Sequence, residues 1–123
     1  MAETKTPVLD HVEGLRRVAG DESLYRDLVQ VFLRDLPRIL GQLDAALAQA
    51  AGAALQCAAH SLKGSASQIG ACAVAAHAGI LEELARRSML TEAAQARQQL
   101  DEALAQLLAA WSASEQTAPA ADQ

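Results

Sequence analysis

From Leu24 to Trp111 the apolar residues of this chain return at intervals of three and four, and a glycine or a capping side chain closes each run. That spacing follows the 3.6-residue turn of an α-helix and excludes the period-two alternation of a half-buried strand. Leu24, Leu28, Val31 and Phe32 make a first stripe, which Leu36, Leu40, Leu43 and Leu47 continue to about Ala51. Leu55, Ala59, Leu62, Ala66 and Ile69 share one face of a helix over about 53–69, and Val74, Ala78, Leu81 and Ala85 one face of the next, over about 71–87. Ala96, Leu100, Leu104, Leu107 and Trp111 line a last long helix. The punctuation agrees. Asp10 and Glu13 have the spacing of a capping box for a short helix that stops at Gly20, Asp21 caps the second helix, Gly52 and Gly70 mark turns, and Thr91 caps the last helix. Pro37 lacks a backbone donor, so the second helix is expected to kink or restart near Leu36.

Long amphipathic helices joined by short connections pack as antiparallel neighbours. The expected fold is therefore all-α: an antiparallel up-down four-helix bundle over residues 8–113, with a short additional N-terminal helix packed across it. Residues 1–7 read as a flexible arm and 114–123 as a frayed tail or linker. Composition supports this. The chain is nearly a quarter alanine, is 51% hydrophobic and carries only 2% aromatics, so the strong helix formers dominate and the strand formers are sparse. A length of 123 residues suits one domain.

The formal net charge of −5 argues against a nucleic-acid binder, which needs a clustered basic face. No apolar run approaches the roughly 18 residues of a membrane span, so no membrane insertion is expected. The stretch "MAETKTPVLD" lacks the apolar segment of a secretory signal, which makes a cytoplasmic protein with Cys57 and Cys72 as reduced thiols the expectation.

The stretch "HSLKGSAS", residues 60 to 67, departs from the alanine background. Glycine inside a helix costs about 0.5–1 kcal/mol relative to alanine, so Gly64 either ends a helix or clears space. On a helical wheel His60 lies about 140° from the centre of the Leu55–Ile69 apolar sector, with Lys63, Gly64 and Ser67 on its side. The histidine is thus expected in solvent with the glycine one turn below it. Between Asp44 and Glu82 the only formally charged side chain is Lys63, and the exposed face around His60 offers Gln56, Cys57, Ser67 and Gln68. A weakly polar surface of that kind suits docking of another protein.

Neutral imidazole is a nucleophile near neutral pH, and a lysine at i+3 disfavours the imidazolium form. The same ammonium can partly neutralise an incoming phosphoryl group, whose transfer depends on positioning and charge stabilisation. His60 and Lys63 can therefore hold a phosphoryl group. Nothing here makes one from ATP, because no Walker A pattern or glycine-rich nucleotide loop is present.

"AAHSLKGSASQIGA", residues 58–71, resembles the signature of histidine-containing phosphotransfer (HPt) domains, A-H-x-L-K-G-S with a glycine ten residues after the histidine. His60, Lys63, Gly64, Ser65 and Gly70 match it, and "GDESLYRDLVQVFLRDLPRIL" and "LEELAR" are similar to flanking HPt segments, so the resemblance covers about residues 8–112. It implies a four-helix bundle in which His60 accepts phosphate from a receiver-domain aspartate and passes it to another receiver, of a hybrid sensor kinase or a response regulator. It implies a monomeric carrier with no ATP site and no cofactor of its own, Mg²⁺ belonging to the partner receiver. Gln68 stands where many members have Asn, and Glu82 where some have a Gln that helps to hold the imidazole. The motif is also similar to the phospho-accepting domain of chemotaxis kinases, which is the alternative setting.

Three rival readings draw on the same residues. Cys57, His60, Cys72 and His77 could supply four zinc ligands, but structural zinc sites favour tight ligand pairs from loops or turns. A Cys57/His60 dyad lacks a third orienting group and a pocket that excludes water. A non-catalytic helical scaffold would be indifferent to the loss of His60. His77 reads as a boundary residue at the bundle edge and His11 as a solvated one.

Overall fold

A computed structural model describes residues 7–117, which form five helices and no strand. They are α1 (His11–Arg16), α2 (Glu22–Ala48), α3 (Gly52–Gln68), α4 (Cys72–Arg86) and α5 (Leu90–Thr117). The last four make the bundle. In it α3 packs between α2 and α4, and α5 lies against α4 and reaches α2 through two ion pairs, Arg97 to Asp44 at 2.8 Å and Arg26 to Glu115 at 3.5 Å. Leu43, Leu55, Leu62, Leu81 and Leu100 are fully buried at its centre. The stripes expected of α3, α4 and α5 are buried residue for residue, from Leu55 through Trp111.

On α2 the expected stripe holds only in part, and its N-terminal turns are out of phase. Its members Phe32, Leu36 and Leu43 are buried as expected and Leu28, Leu40 and Leu47 partly so, but Leu24 and Val31 are 44% and 47% exposed, and Tyr25, Val29 and Ile39 join the buried face in their place. The phase is set by Tyr25, whose hydroxyl donates to the Ile69 carbonyl at 2.8 Å. A residue with a polar tip can enter a core when that tip finds an acceptor, and the turn of α2 that this demands leaves Leu24 in solvent and puts Leu28 and Val31 at the flank of α3.

The other differences lie at helix ends. Helix α2 runs through Pro37 as one element rather than restarting at Leu36, with Leu36 and Ile39 buried on either side of the proline. Thr91 is inside the first turn of α5, not its cap. That helix continues to Thr117, past the boundary expected at residue 113. Residues 1–6 of the expected arm and 118–123 of the expected tail lie outside the described residues.

Only half of the capping box at α1 forms. The Asp10 carboxylate accepts from the Glu13 amide at 3.0 Å. The Asp10 amide is engaged elsewhere, donating to the Gly70 carbonyl at 2.7 Å, and the Glu13 carboxylate turns to Arg16. That backbone bond, with one from Ala73 to Pro7 at 3.0 Å, ties the N-terminal segment to the α3–α4 turn. His11 is not simply solvated: its ring lies 4.8 Å from that of Tyr25, and Nε2 is 3.5 Å from the Glu22 carboxylate.

Candidate functional site

Burial of Leu55, Ala58, Ala59, Leu62 and Ala66 fixes the rotation of α3 and so decides what its other face presents. His60 projects from that face with 67% of its side chain exposed, near the middle of the helix. Gly64 is inside α3 and not at its end, its φ is not positive, and a β-carbon there would have no atom within 4 Å. The helix instead closes at Gly70, where φ is +79°. The glycine below the histidine therefore opens space.

The neighbouring helix completes the site. Val74, Ala78, Leu81 and Ala85 bury one face of α4 and aim Glu82 at α3. Its Oε2 accepts from Nδ1 of His60 at 2.9 Å and its Oε1 lies 3.0 Å from Nζ of Lys63. The hydrogen bond from Lys63 above all holds the Glu82 carboxyl below its ordinary range; burial opposes it, and a lesser bond from His60 acts in the same direction as Lys63, so the group is ionised at neutral pH. An ionised carboxylate can only accept. Nδ1 must then carry the proton, which leaves the Nε2 lone pair directed outward, with no protein partner among the described residues.

Sequence reasoning left Glu82 open and missed Gly79. A β-carbon at Gly79 would stand 3.3 Å from Cδ of Lys63, so the absence of a side chain lets the lysine stem lie across α4 to reach Glu82. The charge pattern shows only that Lys63 lacks a charged neighbour in its own stretch, because Asp44 and Glu82 both stand 19 positions from it along the chain.

The remaining expected residues surround His60 without touching it in any hydrogen bond. Cys57 and Gln68 are exposed, and Gln56 and Ser67 are half-buried. Ser67 and Lys63 line an open depression of about 350 Å³ that Glu13 of α1 and Arg17 just after it also border. On the other flank Cys57 and Ser61 face Gln42 of α2 and Gln49 just after it across a trough of about 400 Å³. Further along that flank, Ser65 and Gln68 meet Leu28, Val31 and Asp35. The misphased apolar residues of α2 thus join the weakly polar face of α3.

Both cysteines are free, and no cluster of three or more metal-ligating side chains occurs among the described residues. His77 is half-buried at the α4–α5 edge beside Gln99 and Glu102. No described helix is long and apolar enough to cross a membrane.

The sequence model of the family described as "Hpt domain" matches residues 27–110. Among solved structures, the chain is similar to histidine-containing phosphotransfer protein B (HptB) from Pseudomonas aeruginosa PAO1, with 30% identity and a TM-score of 0.82 over 94% of this chain and 100% of that one. A search of curated proteins finds no match.

Proposed function

Since this chain belongs to the Hpt domain family and is a histidine phosphotransfer carrier of a phosphorelay, we propose that His60 is its phosphoacceptor and Nε2 the atom that bonds to phosphorus. The observation that carries this reading is the Glu82–His60 contact: it holds the proton on Nδ1 and presents the Nε2 lone pair on a two-thirds-exposed ring. His11 stacks on Tyr25 and His77 sits in the α4–α5 edge, so neither has both a fixed tautomer and an open approach.

The family implies receiver domains as partners. Nε2 attacks the phosphorus of a receiver aspartyl phosphate; the P–N bond forms as the P–O bond breaks, and the electron pair leaves with the aspartate carboxylate. Reversal onto a second receiver uses the same atoms. Lys63 is held beside the ring and has three donors, of which one serves Glu82, so it can meet the phosphoryl oxygens as they arrive. The receiver lies on the open face of α3, over Gly64, with Gln56, Cys57, Ser67 and Gln68 around His60 and with Leu28 and Val31 of α2 giving apolar contact at its edge. The carrier acts as a monomer, without an ATP site or a cofactor of its own; Mg²⁺ belongs to the receiver.

The test is incubation with a phosphorylated receiver and mapping of the label under neutral conditions. Label on His60 alone, and none on a His60→Gln variant that keeps its helical circular dichroism, is the expected result. Label on His77 or His11, or label that survives His60→Gln, would overturn the assignment.

A further inference from the structure

A phosphoryl group on Nε2 changes what the ring needs from its neighbours. When neutral His60 attacks through Nε2 it keeps its Nδ1 proton, so the product is a phosphorylated ring carrying a positive charge. For the phosphoryl group to leave again, the P–N electron pair must return to Nε2. If Nδ1 is still protonated, the departing group is neutral imidazole; if Nδ1 has lost its proton, the departing group is an imidazolate, a far poorer leaving group. Whatever holds the Nδ1 proton in the phosphorylated state therefore sets how readily the carrier gives its cargo up.

We propose that Glu82 is the positioning residue that keeps phosphorylated His60 in the protonated, transfer-ready state, acting as counter-ion to the ring as well as fixing its tautomer. The proposal rests on the reading of His60 as phosphoacceptor. Its geometry is the 2.9 Å contact between Oε2 and Nδ1. An opposite charge and a hydrogen bond to the charged form both favour that form. The groups around the ring are few: Lys63 from its own helix, Glu82 from α4, the Cys57 thiol one turn back on α3, and neutral Gln42 of α2 facing Cys57 and Ser61. Glu13 of α1 and Arg17 just after it stand beyond Lys63. Lys63 would oppose a charged ring, but Glu82 lies between them as the shared acceptor, and an arriving phosphoryl group gives the ammonium a second anion to serve. No proton has to move in either direction, and the transfer needs no general base.

Glutamine separates the two roles of Glu82, because its amide carbonyl accepts the same hydrogen bond while carrying no charge. Wild-type, Glu82→Gln and His60→Gln proteins are phosphorylated with phosphoramidate, a small P–N donor that needs no receiver and releases ammonia. Two quantities are read: the ¹⁵N shift of Nδ1 in the phosphorylated protein across pH, and the rate of phosphoryl loss across the same range. The midpoint for loss of the Nδ1 proton is expected to fall by about one pH unit in Glu82→Gln, a tenfold change in that equilibrium. On the alkaline side of the wild-type midpoint, the phosphoryl group is expected to last up to about tenfold longer on the variant than on the wild type. A residue that merely orients the ring would leave both midpoints together, and that result would overturn the proposal. His60→Gln keeps the two failures apart. Label that persists on it sinks the phosphoacceptor assignment, whereas label confined to His60 with coincident midpoints sinks only the counter-ion role.

Discussion

Two glycines one and a half turns apart, Gly64 and Gly70, do opposite work. A β-carbon on Gly64 would meet nothing, while one on Gly70 would run into the backbone of Asp10, with φ already at +79°. Gly14 of α1 resembles Gly70: its β-carbon would collide with the Tyr25 ring and the Ile69 carbonyl. The α1 end of the bundle is thus sealed, with Tyr25 wedged between His11 and Trp111 at 4.8 and 6.2 Å, whereas the middle of α3 is cleared. The same residue type thus marks tight contacts at the α1 end and an open position beside His60. Glycine alone does not tell the two apart, since Gly41 of α2 is open as well; packing does.

The sharpest way to break the comparison is to fill the sealed end. Gly70→Ala combines a left-handed alanine with an overpacked contact and is expected to destabilise the fold by about 3 kcal/mol. Gly14→Ala, limited to overpacking, is expected to cost about 2 kcal/mol. Thermal melts read both, and each kcal/mol lowers the midpoint by roughly 4–8 °C in a domain of this size. In the folded fraction, His60 should be labelled at the wild-type rate. Unchanged melts would show that the α1 end gives way easily and is not sealed.

Alkaline titration probes the same end from inside. Tyr25 is the only tyrosine, so tyrosinate absorbance reads this ring alone. Burial, with smaller effects of the Asp10 and Glu22 charges, pushes its hydroxyl up to about 12. The unfolded value is about 10. Because the folded value is raised, the contribution to stability is fully present below about pH 10 and is lost as pH rises toward 12. Ionisation also removes the proton that Tyr25 donates to Ile69. The expected record is ionisation near pH 12, accompanied by a change in Trp111 fluorescence as the end loosens. A midpoint near 10 with the fold intact would break the picture of a sealed ring.

The turn at the opposite end of α3 offers a smaller contrast. Ala50 has φ +52° at the α2–α3 junction, the left-handed conformation that Gly70 supplies at the α3–α4 junction. Ala50→Gly should relieve that strain, less the extra freedom glycine has when unfolded, for a net stabilisation of about 0.5–1 kcal/mol by denaturant titration. No gain would mean that the turn has no strain to release.

Three helices and the outward place of His60 were legible because single-residue phase decides them. In α3 five small or aliphatic residues fall in one narrow sector, so His60 had to face out. In α2 the apolar residues are numerous enough to support two phases, and the choice between them rests on a bond from Tyr25 to a carbonyl 44 positions away. No local pattern records such a bond. Glu82 was hidden for a related reason: its partners sit 22 and 19 positions earlier, on another helix, and only the packing of α3 on α4 brings the three together. Helix pairing over that distance is read from the fold; the charge pattern could say no more than that Lys63 lacked a neighbour.

The smallest expected change in stability carries the most about function. Gly64 lies inside α3 with no positive φ and no atom near its missing β-carbon. Alanine there loses less conformational freedom on folding, so Gly64→Ala should stabilise the domain by about 0.4–1 kcal/mol. Glutamine should also be tolerated, since its side chain would extend into solvent. If a receiver must lie against the helix beside His60, both variants should slow phosphotransfer, glutamine more than alanine, while chemical phosphorylation of His60 by phosphoramidate keeps its rate. The small donor controls for damage to the acceptor, because it needs the ring and not the docking face. Melts that rise while receiver transfer falls would establish that an unfavourable helical residue is retained for access. A stabilised Gly64→Gln that transfers at the wild-type rate would show instead that the open space at Gly64 is not used, and the contrast with Gly70 would then be one of packing alone.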